Sequence, residues 1–332
     1  MINKVAILGS GSWGTALGVV LADRGLDVLL YGNNPKHCAE INEKSTNSFY
    51  LPGIDLPENI TATTKMEDVV DSELILLVVP SQVARVVLNQ LRDTGISEDA
   101  IILTCNKGID PQSGKLMQAT VNELFPNNPV AVLAGPSHAE EVASRKATAA
   151  TIGSQDEEVS ARLQEIFTLP YFRTYTSTDV TGIEIGGVVK NIFAIAAGTA
   201  DGLGLGDNSK AALVTRGLAE MTRLGMAMGG KRETFQGLSG IGDLIVTCYS
   251  GHSRNNRVGR LLGQGKSLQE AIDELSQVAE GVPNAKNAYE LARKLDVRTP
   301  IIDQAYAVLY ENKPCAEALK ELLSRDPRSE HE

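Results

Sequence analysis

The sequence predicts an α/β protein: an N-terminal doubly wound parallel sheet followed by an all-α C-terminal domain. Three observations carry this. Short apolar runs, ended by glycine or proline, alternate with helical segments through the first half. The first run leads straight into Gly9-x-Gly11-x-x-Gly14, the turn that joins strand to helix in a dinucleotide-binding unit. From about residue 179 the strand-like runs stop and helical periodicity takes over. The chain has 332 residues, more than one core usually organises. We therefore divide it into 1–178, a nucleotide-binding domain, and 179–332, a helical domain carrying substrate and catalytic groups.

Residues 5–8 and 28–31 are apolar and read as buried strands, with a helix between them. Gly9 permits the tight turn, Gly11 lets backbone approach a pyrophosphate, and Gly14 lets the helix pack on the strand. The helix N-terminus, at Ser12 and Trp13, offers unpaired N–H groups and a positive dipole end to the phosphates. In many NAD-specific units an acidic residue ends the second strand and binds the ribose hydroxyls. Here the chain reads Gly32-Asn33-Asn34-Pro35. It holds no acid to repel a 2′-phosphate and no arginine to bind one, and Asn33 can hydrogen-bond either ribose form. NAD and NADP both stay open on these residues, which also suit a plain turn.

Residues 36–64 are polar and rich in turn formers. Residues 74–79 form the next apolar run, which Pro80 ends, and Ser81 is placed to N-cap a helix over 82–91. Strands at 101–104 and 130–133 run into Cys105-Asn106-Lys107-Gly108 and Ala134-Gly135-Pro136-Ser137. Ser137-x-x-Glu140 has the spacing of a capping box. Parallel α/β sheets bind ligands beyond the carboxyl ends of their strands. Ser12, Lys107 and Gly135 to Ser137 all fall at such ends. Lys107 is thus a candidate anion or substrate contact, although a solvated loop lysine would look the same.

Past a polar, β-branched stretch at 174–181, residues 183–199 are apolar and rich in Gly and Ala, as in a helix packed closely on others. Lys190 lies within it. A charged lysine there is costly unless it is paired or reaches water. A glycine-rich loop covers 201–207, and a helix over 210–224 meets Gly225 as its stop. Asp243 follows a second glycine-rich stretch. Ser253 is placed to cap a helix with Arg254 and Asn255 in its first turn. An arginine there opposes the helix dipole, but its fork beside helix N–H groups suits a phosphate. Ser267-x-x-Glu270 repeats the capping-box spacing, and 300–323 reads as two helices.

The net charge is −10 with no basic block, which argues against a nucleic-acid partner. The four cysteines form no CxxC pair and suit reduced thiols. The four histidines lack metal-ligand spacing, so no metal is expected. No signal peptide is expected, and the most apolar stretch, 192–200, is too short to cross a bilayer, so the chain is not expected to be an integral membrane protein.

Eight segments in order resemble the bacterial NAD(P)-dependent glycerol-3-phosphate dehydrogenases. They are Gly9-Ser-Gly-Ser-Trp-Gly-Thr-Ala, Val78-Val-Pro-Ser, Asn106-Lys-Gly, Ala134-Gly-Pro-Ser, Gly187-Val-Val-Lys-Asn, Thr215-Arg-Gly-Leu-Ala-Glu-Met, Gly240-Ile-Gly-Asp-Leu-Ile-Val-Thr-Cys and Ser253-Arg-Asn. The resemblance implies a Rossmann domain followed by a helical one. It also implies reversible reduction of dihydroxyacetone phosphate to sn-glycerol 3-phosphate with NADH or NADPH, for phospholipid synthesis. A cytoplasmic homodimer is implied as well. Carried across position by position, Lys190 matches the catalytic lysine. Lys107, Gly135, Ser137, Lys190, Asp243, Ser253, Arg254 and Asn255 match substrate contacts. Gly9, Gly11, Ser12, Trp13, Gly14, Asn33, Lys107, Ala139, Arg254, Val278 and Glu280 match positions lining the nucleotide. Family members often carry Arg or His near Asn33, and this chain does not. Two other readings are a hydroxyacid dehydrogenase, which would want a carboxylate clamp, and a nucleotide sensor without turnover.

Overall fold

The computed structural model describes residues 2–275, 278–327 and 329–330; His331 lies outside them. The first half runs β1 (Lys4–Leu8), α1 (Ser12–Asp23), β2 (Asp27–Tyr31), α2 (Pro35–Lys44), β3 (Ile60–Thr63), β4 (Leu74–Leu77), α3 (Ser81–Thr94), β5 (Ile101–Thr104), α4 (Met117–Leu124), β6 (Val130–Ala134), α5 (Ala139–Ala143), β7 (Thr148–Gly153), α6 (Glu157–Phe167) and β8 (Phe172–Ser177). The strands form one sheet in the order β3-β2-β1-β4-β5-β6-β7-β8. The first six are parallel and follow the dinucleotide-binding order, with β1 at the centre. Alternate side chains feed two cores. Val5, Ile7, Leu30, Leu74, Leu76 and Leu103 join one face, whereas Ala6, Leu8, Ile75, Leu77 and Ile102 join the other. That is why these strands read as unbroken apolar runs.

The sheet is not wholly parallel, as the sequence had suggested. β7 pairs antiparallel with β6, and β8 then runs parallel to β7. Both escaped a reading by apolar runs: β7 is mostly Ala and Thr, and β8 alternates buried and exposed residues as an edge strand. The polar stretch at 174–181 therefore contains the end of an edge strand. The turn-rich stretch 36–64 likewise holds α2 and β3; Asn34 caps α2, its side chain accepting from the Lys36 N–H at 2.9 Å.

The second half is helical: α7 (Val180–Gly202), α8 (Asp207–Ala227), α9 (Arg232–Phe235), α10 (Asp243–Tyr249), α11 (Arg254–Gly263), α12 (Leu268–Asp273), α13 (Gly281–Lys294), α14 (Pro300–Tyr310) and α15 (Cys315–Leu323). α7 is 23 residues long and apolar enough to cross a bilayer by length and composition, so 192–200 understated it. It is the core helix of this half, with 83% of its apolar window buried in protein. Gly225 does not stop α8, which continues to Ala227; a methyl there would overlap the Phe235 ring.

Two sequence-placed caps are absent. Ser81 is the first residue of α3 rather than its cap, and its N–H donates to Glu280 at 3.0 Å, a carboxylate 199 residues away. Ser137 does not cap α5; its hydroxyl donates to the Gly135 carbonyl at 3.0 Å. Distant carboxylates serve other helices too. Glu184 of α7 accepts from Gln118 N–H at the start of α4, and Glu220 of α8 accepts from Ile301 and Ile302 N–H at the start of α14. Ser253 and Ser267 do cap α11 and α12 as their spacing predicts.

α7 and α11 approach backbone to backbone. A methyl at Gly198 would overlap the Asn256 carbonyl, and one at Gly259 would overlap the Ile195 carbonyl. Gly259→Ala is expected to cost about 2–3 kcal/mol through this clash, read as a lower urea midpoint. Gly251→Ala, in a turn where no described atom lies within 4 Å of the added methyl, is expected to change the midpoint little.

Candidate active site

The carboxyl end of β1 opens into the glycine turn. Gly9 adopts φ +122°, and an added methyl there would press on the Val78 carbonyl at 3.0–3.1 Å. A methyl at Gly14 would overlap the Gly9 carbonyl oxygen. At Gly11 nothing in the protein lies within 4 Å of the position. No protein atom therefore demands glycine there, whereas a close-lying phosphate would. Gly11 is the N-cap of α1 and gives it no side-chain cap, so the first N–H groups of the helix face this cradle. The Trp13 indole Nε1, at the same helix start, is buried without a hydrogen-bond partner among the described residues, as are both amide atoms of Asn106 beyond β5. Glycine cradle, uncapped helix and orphaned donors all fit a dinucleotide. Ser12 is buried beside them, its hydroxyl donating to the Tyr50 carbonyl at 2.9 Å, and Ala139 is buried at the start of α5. Asn33 and Val278 are exposed.

Beyond β5 the chain turns and sends Lys107 across to the helical half. Its Nζ donates to Asp243 Oδ2 at 2.8 Å and lies 3.5 Å from the Gly135 carbonyl beyond β6. Its stem lies against Gly187 of α7. The same carboxylate receives Lys190 through Oδ1 at 2.5 Å, and Lys190 also donates to Thr247 Oγ1 at 2.8 Å. Thr247 stands one turn after Asp243 on α10 and donates back to the Asp243 carbonyl. A single π-helical turn, Leu238–Gly242, delivers Asp243; it closes with Gly242 N–H donating to the Gly237 carbonyl at 3.1 Å.

Two ammonium groups thus share one buried carboxylate, and both cannot be neutralised by it. Lys190 is 5% exposed. Burial is the largest influence on it and pulls its pKa down to about 7; Asp243 opposes this and Lys107 reinforces it. Burial pushes Asp243 the other way, but the two lysines outweigh it and hold the carboxyl below its usual range. Lys107, the more exposed partner, holds the other oxygen of the same carboxylate.

The start of α11 is tied to this cluster. Asn255 donates to Asn191, the neighbour of Lys190, at 2.9 Å and accepts from Gly281 N–H at 2.9 Å. Ser253 is buried and accepts from Asn256 N–H as the cap. Arg254 is exposed at the helix start, within electrostatic reach of Glu280 and Glu140. Burial pushes the Glu280 carboxyl up, against the Ser81 N–H and Arg254. Sequence reasoning singled out Lys107, Gly135, Ser137, Lys190, Asp243 and Arg254 without their contacts. It missed Thr247, Asn191, and Asn284 of α13, whose amide donates to the Lys107 carbonyl at 2.7 Å. The i, i+4 spacing of Asp243 and Thr247 was the one available signal.

Comparison with known proteins decides the family. The model of the NAD-dependent glycerol-3-phosphate dehydrogenase N-terminus matches residues 4–160, and that of its C-terminus matches 179–320. The chain belongs to this family. A glycerol-3-phosphate dehydrogenase [NAD(P)+] of Bacillus cytotoxicus is 48% identical over 335 residues, covering 100% of this chain and 98% of the relative. One from Clostridium tetani is 45% identical over 330 residues, covering 99% and 94%. The crystal structure of glycerol-3-phosphate dehydrogenase from Coxiella burnetii superposes with a TM-score of 0.94 at 39% identity, covering 98% of this chain and 99% of that one.

Asp243→Asn would leave two lysines at one site with no counter-charge. It is expected to lower stability by about 3 kcal/mol, measured by urea unfolding at neutral pH. The loss should shrink as pH rises through about 7, where Lys190 discharges.

Proposed function

We propose that this chain reversibly reduces dihydroxyacetone phosphate to sn-glycerol 3-phosphate with NADH or NADPH. The observation that carries the reading is the carboxylate shared by Lys107 and Lys190 at the strand ends of a dinucleotide-binding sheet, in a chain matched along nearly its whole length by one family. The glycine turn from Gly9 to Gly14, with Ser12, Trp13, Asn33, Lys107, Ala139, Arg254, Val278 and Glu280, holds the dinucleotide. When bound, the nicotinamide supplies or accepts the hydride at the reacting carbon. Lys190 Nζ gives the carbonyl oxygen its proton during reduction and takes the hydroxyl proton during oxidation. A free lysine is too basic to take a proton at neutral pH; burial and Lys107 bring Lys190 into range. Lys107 stabilises charge developing on the oxygen, and Asp243 and Thr247 fix the Lys190 ammonium.

Ser253, Arg254 and Asn255 hold the substrate phosphate at the start of α11, away from the reacting carbon, with Gly135 and Ser137 on the facing wall. Phosphate binding there positions the carbonyl for transfer. The same reading makes the chain a cytoplasmic homodimer feeding phospholipid synthesis, and sedimentation should give twice the 35.4 kDa chain mass.

The test is loss of reduced-nicotinamide absorbance with dihydroxyacetone phosphate, using NADH and NADPH separately. Turnover with either is expected, and none with hydroxy-acid partners. Lys190→Ala should lower turnover by roughly 10³-fold while NADH still binds; wild-type-like turnover would refute its role. Oxidation of glycerol 3-phosphate should rise with pH through about 7 as Lys190 loses its proton, and that limb should vanish in the variant. Arg254→Ala should raise KM for the phosphorylated substrate roughly tenfold to a hundredfold.

A further inference from the structure

We propose that His138 is a further binding residue for the substrate phosphate, offering its ring Nε2 from the wall that faces the 252–255 segment. The inference rests on the functional reading above and deepens it. His138 follows Ser137 at the carboxyl end of β6 and is the N-cap of the short helix α5, which its side chain does not bond. Its Nε2 is buried and has no hydrogen-bond partner among the described residues. A buried ring nitrogen left unpaired is costly, and a ligand oxygen arriving there would satisfy it. The loop that carries it is held over the catalytic cluster. Pro136 packs on Gly242, next to Asp243, and the Gly135 carbonyl takes the Ser137 hydroxyl and lies 3.5 Å from Lys107 Nζ.

Across the cleft the His138 ring meets His252, with centroids 5.7 Å apart and planes tilted by 52°. His252 stands immediately before Ser253 and Arg254. The unpaired nitrogen therefore sits where the two walls meet, between the lysine cluster and the helix start assigned to the phosphate.

The surrounding charge selects an anion. The groups acting on His138 are Lys190 of α7, Lys107 beyond β5, His252 before α11 and Glu140 of α5. Two of them are lysines and one is a carboxylate. Burial first, and Lys190 next, keep the imidazole below its usual pKa, so it is neutral in the free protein at neutral pH. A phosphate dianion reverses that balance. Its charge favours the protonated ring: the neutral imidazole takes one proton from solvent, and the imidazolium formed donates Nε2–H to a phosphate oxygen. Binding of the phosphate is thereby linked to proton uptake, and it weakens as pH rises past the histidine's pKa in the complex.

Wild type, His138→Gln and His252→Ala are compared with dihydroxyacetone phosphate from about pH 5.5 to 9, and with inorganic phosphate as a competitive inhibitor. His138→Gln should raise KM for the phosphorylated substrate and Ki for phosphate by about tenfold each. It should change kcat far less, leave KM for NADH alone, and flatten the rise of Ki with pH. His252→Ala, which removes an exposed ring, should shift Ki in the same direction by less. Thermal unfolding establishes that each variant is folded. Unchanged Ki and pH profile in folded His138→Gln would overturn the proposal, and so would a raised KM for NADH with phosphate Ki unmoved. Absence of wild-type turnover would instead refute the functional reading; calorimetric titration of inorganic phosphate into wild type and His138→Gln would still decide the role of His138.

Discussion

The site depends on one carboxylate shared by two lysines from different halves of the chain. Asp243 takes Lys107 on one oxygen and Lys190 on the other. Burial is the largest influence against a charge on Lys190, and the second ammonium, Lys107, adds to it against the pull of Asp243. Buried ion pairs add little net stability once desolvation is counted. What this one provides is a lysine that can lose a proton near neutrality, and a bolt from the sheet half to the helical half.

The rest of the fold brings these three residues together. Parallel order in the sheet lines up the ends of β1, β4, β5 and β6, so the glycine turn, Lys107 and Gly135 open on one rim. α7 carries Lys190 and Asn191 through the middle of the helical core. Glycines on α7 and α11 let those helices touch backbone to backbone, which sets the start of α11, with Ser253 and Arg254, near Lys190. The amide chain Asn191–Asn255–Gly281 then fixes where α13 begins. Asn284 on α13 returns to hold the Lys107 loop. The ring of contacts closes, so a shift in one helix is felt at both lysines.

Helix starts supply a second kind of bond between the halves. Glu280 caps α3 and Glu184 caps α4, each reaching from the helical half to the sheet half. A carboxylate at a helix N-terminus pairs orphan N–H groups and favours the dipole. Burial raises both carboxyls, Glu184 to about 7. The arrangement anchors the two halves without a local capping residue.

The sequence by itself determined the parts whose physics is local. Apolar runs of four to five residues gave β1, β2, β4, β5 and β6, because strands buried on both faces have no polar side. The glycine spacing gave the nucleotide turn, and Ser253 and Ser267 gave true caps, since each bonds only three residues on. Lys190, Asp243 and Arg254 stood out as charges where apolar or glycine-rich chain is expected. Only the tertiary structure decided what depends on chain returning from far away. The antiparallel β7, largely Ala and Thr, and its partner β8, which alternates buried and exposed residues, are specified by their neighbours. The cap of α3 lies 199 residues from Ser81, so its serine looked like the cap and is not. The sharing of Asp243 between residues 136 and 53 positions away is invisible in sequence, because charge pairing across a cleft depends on distance in space.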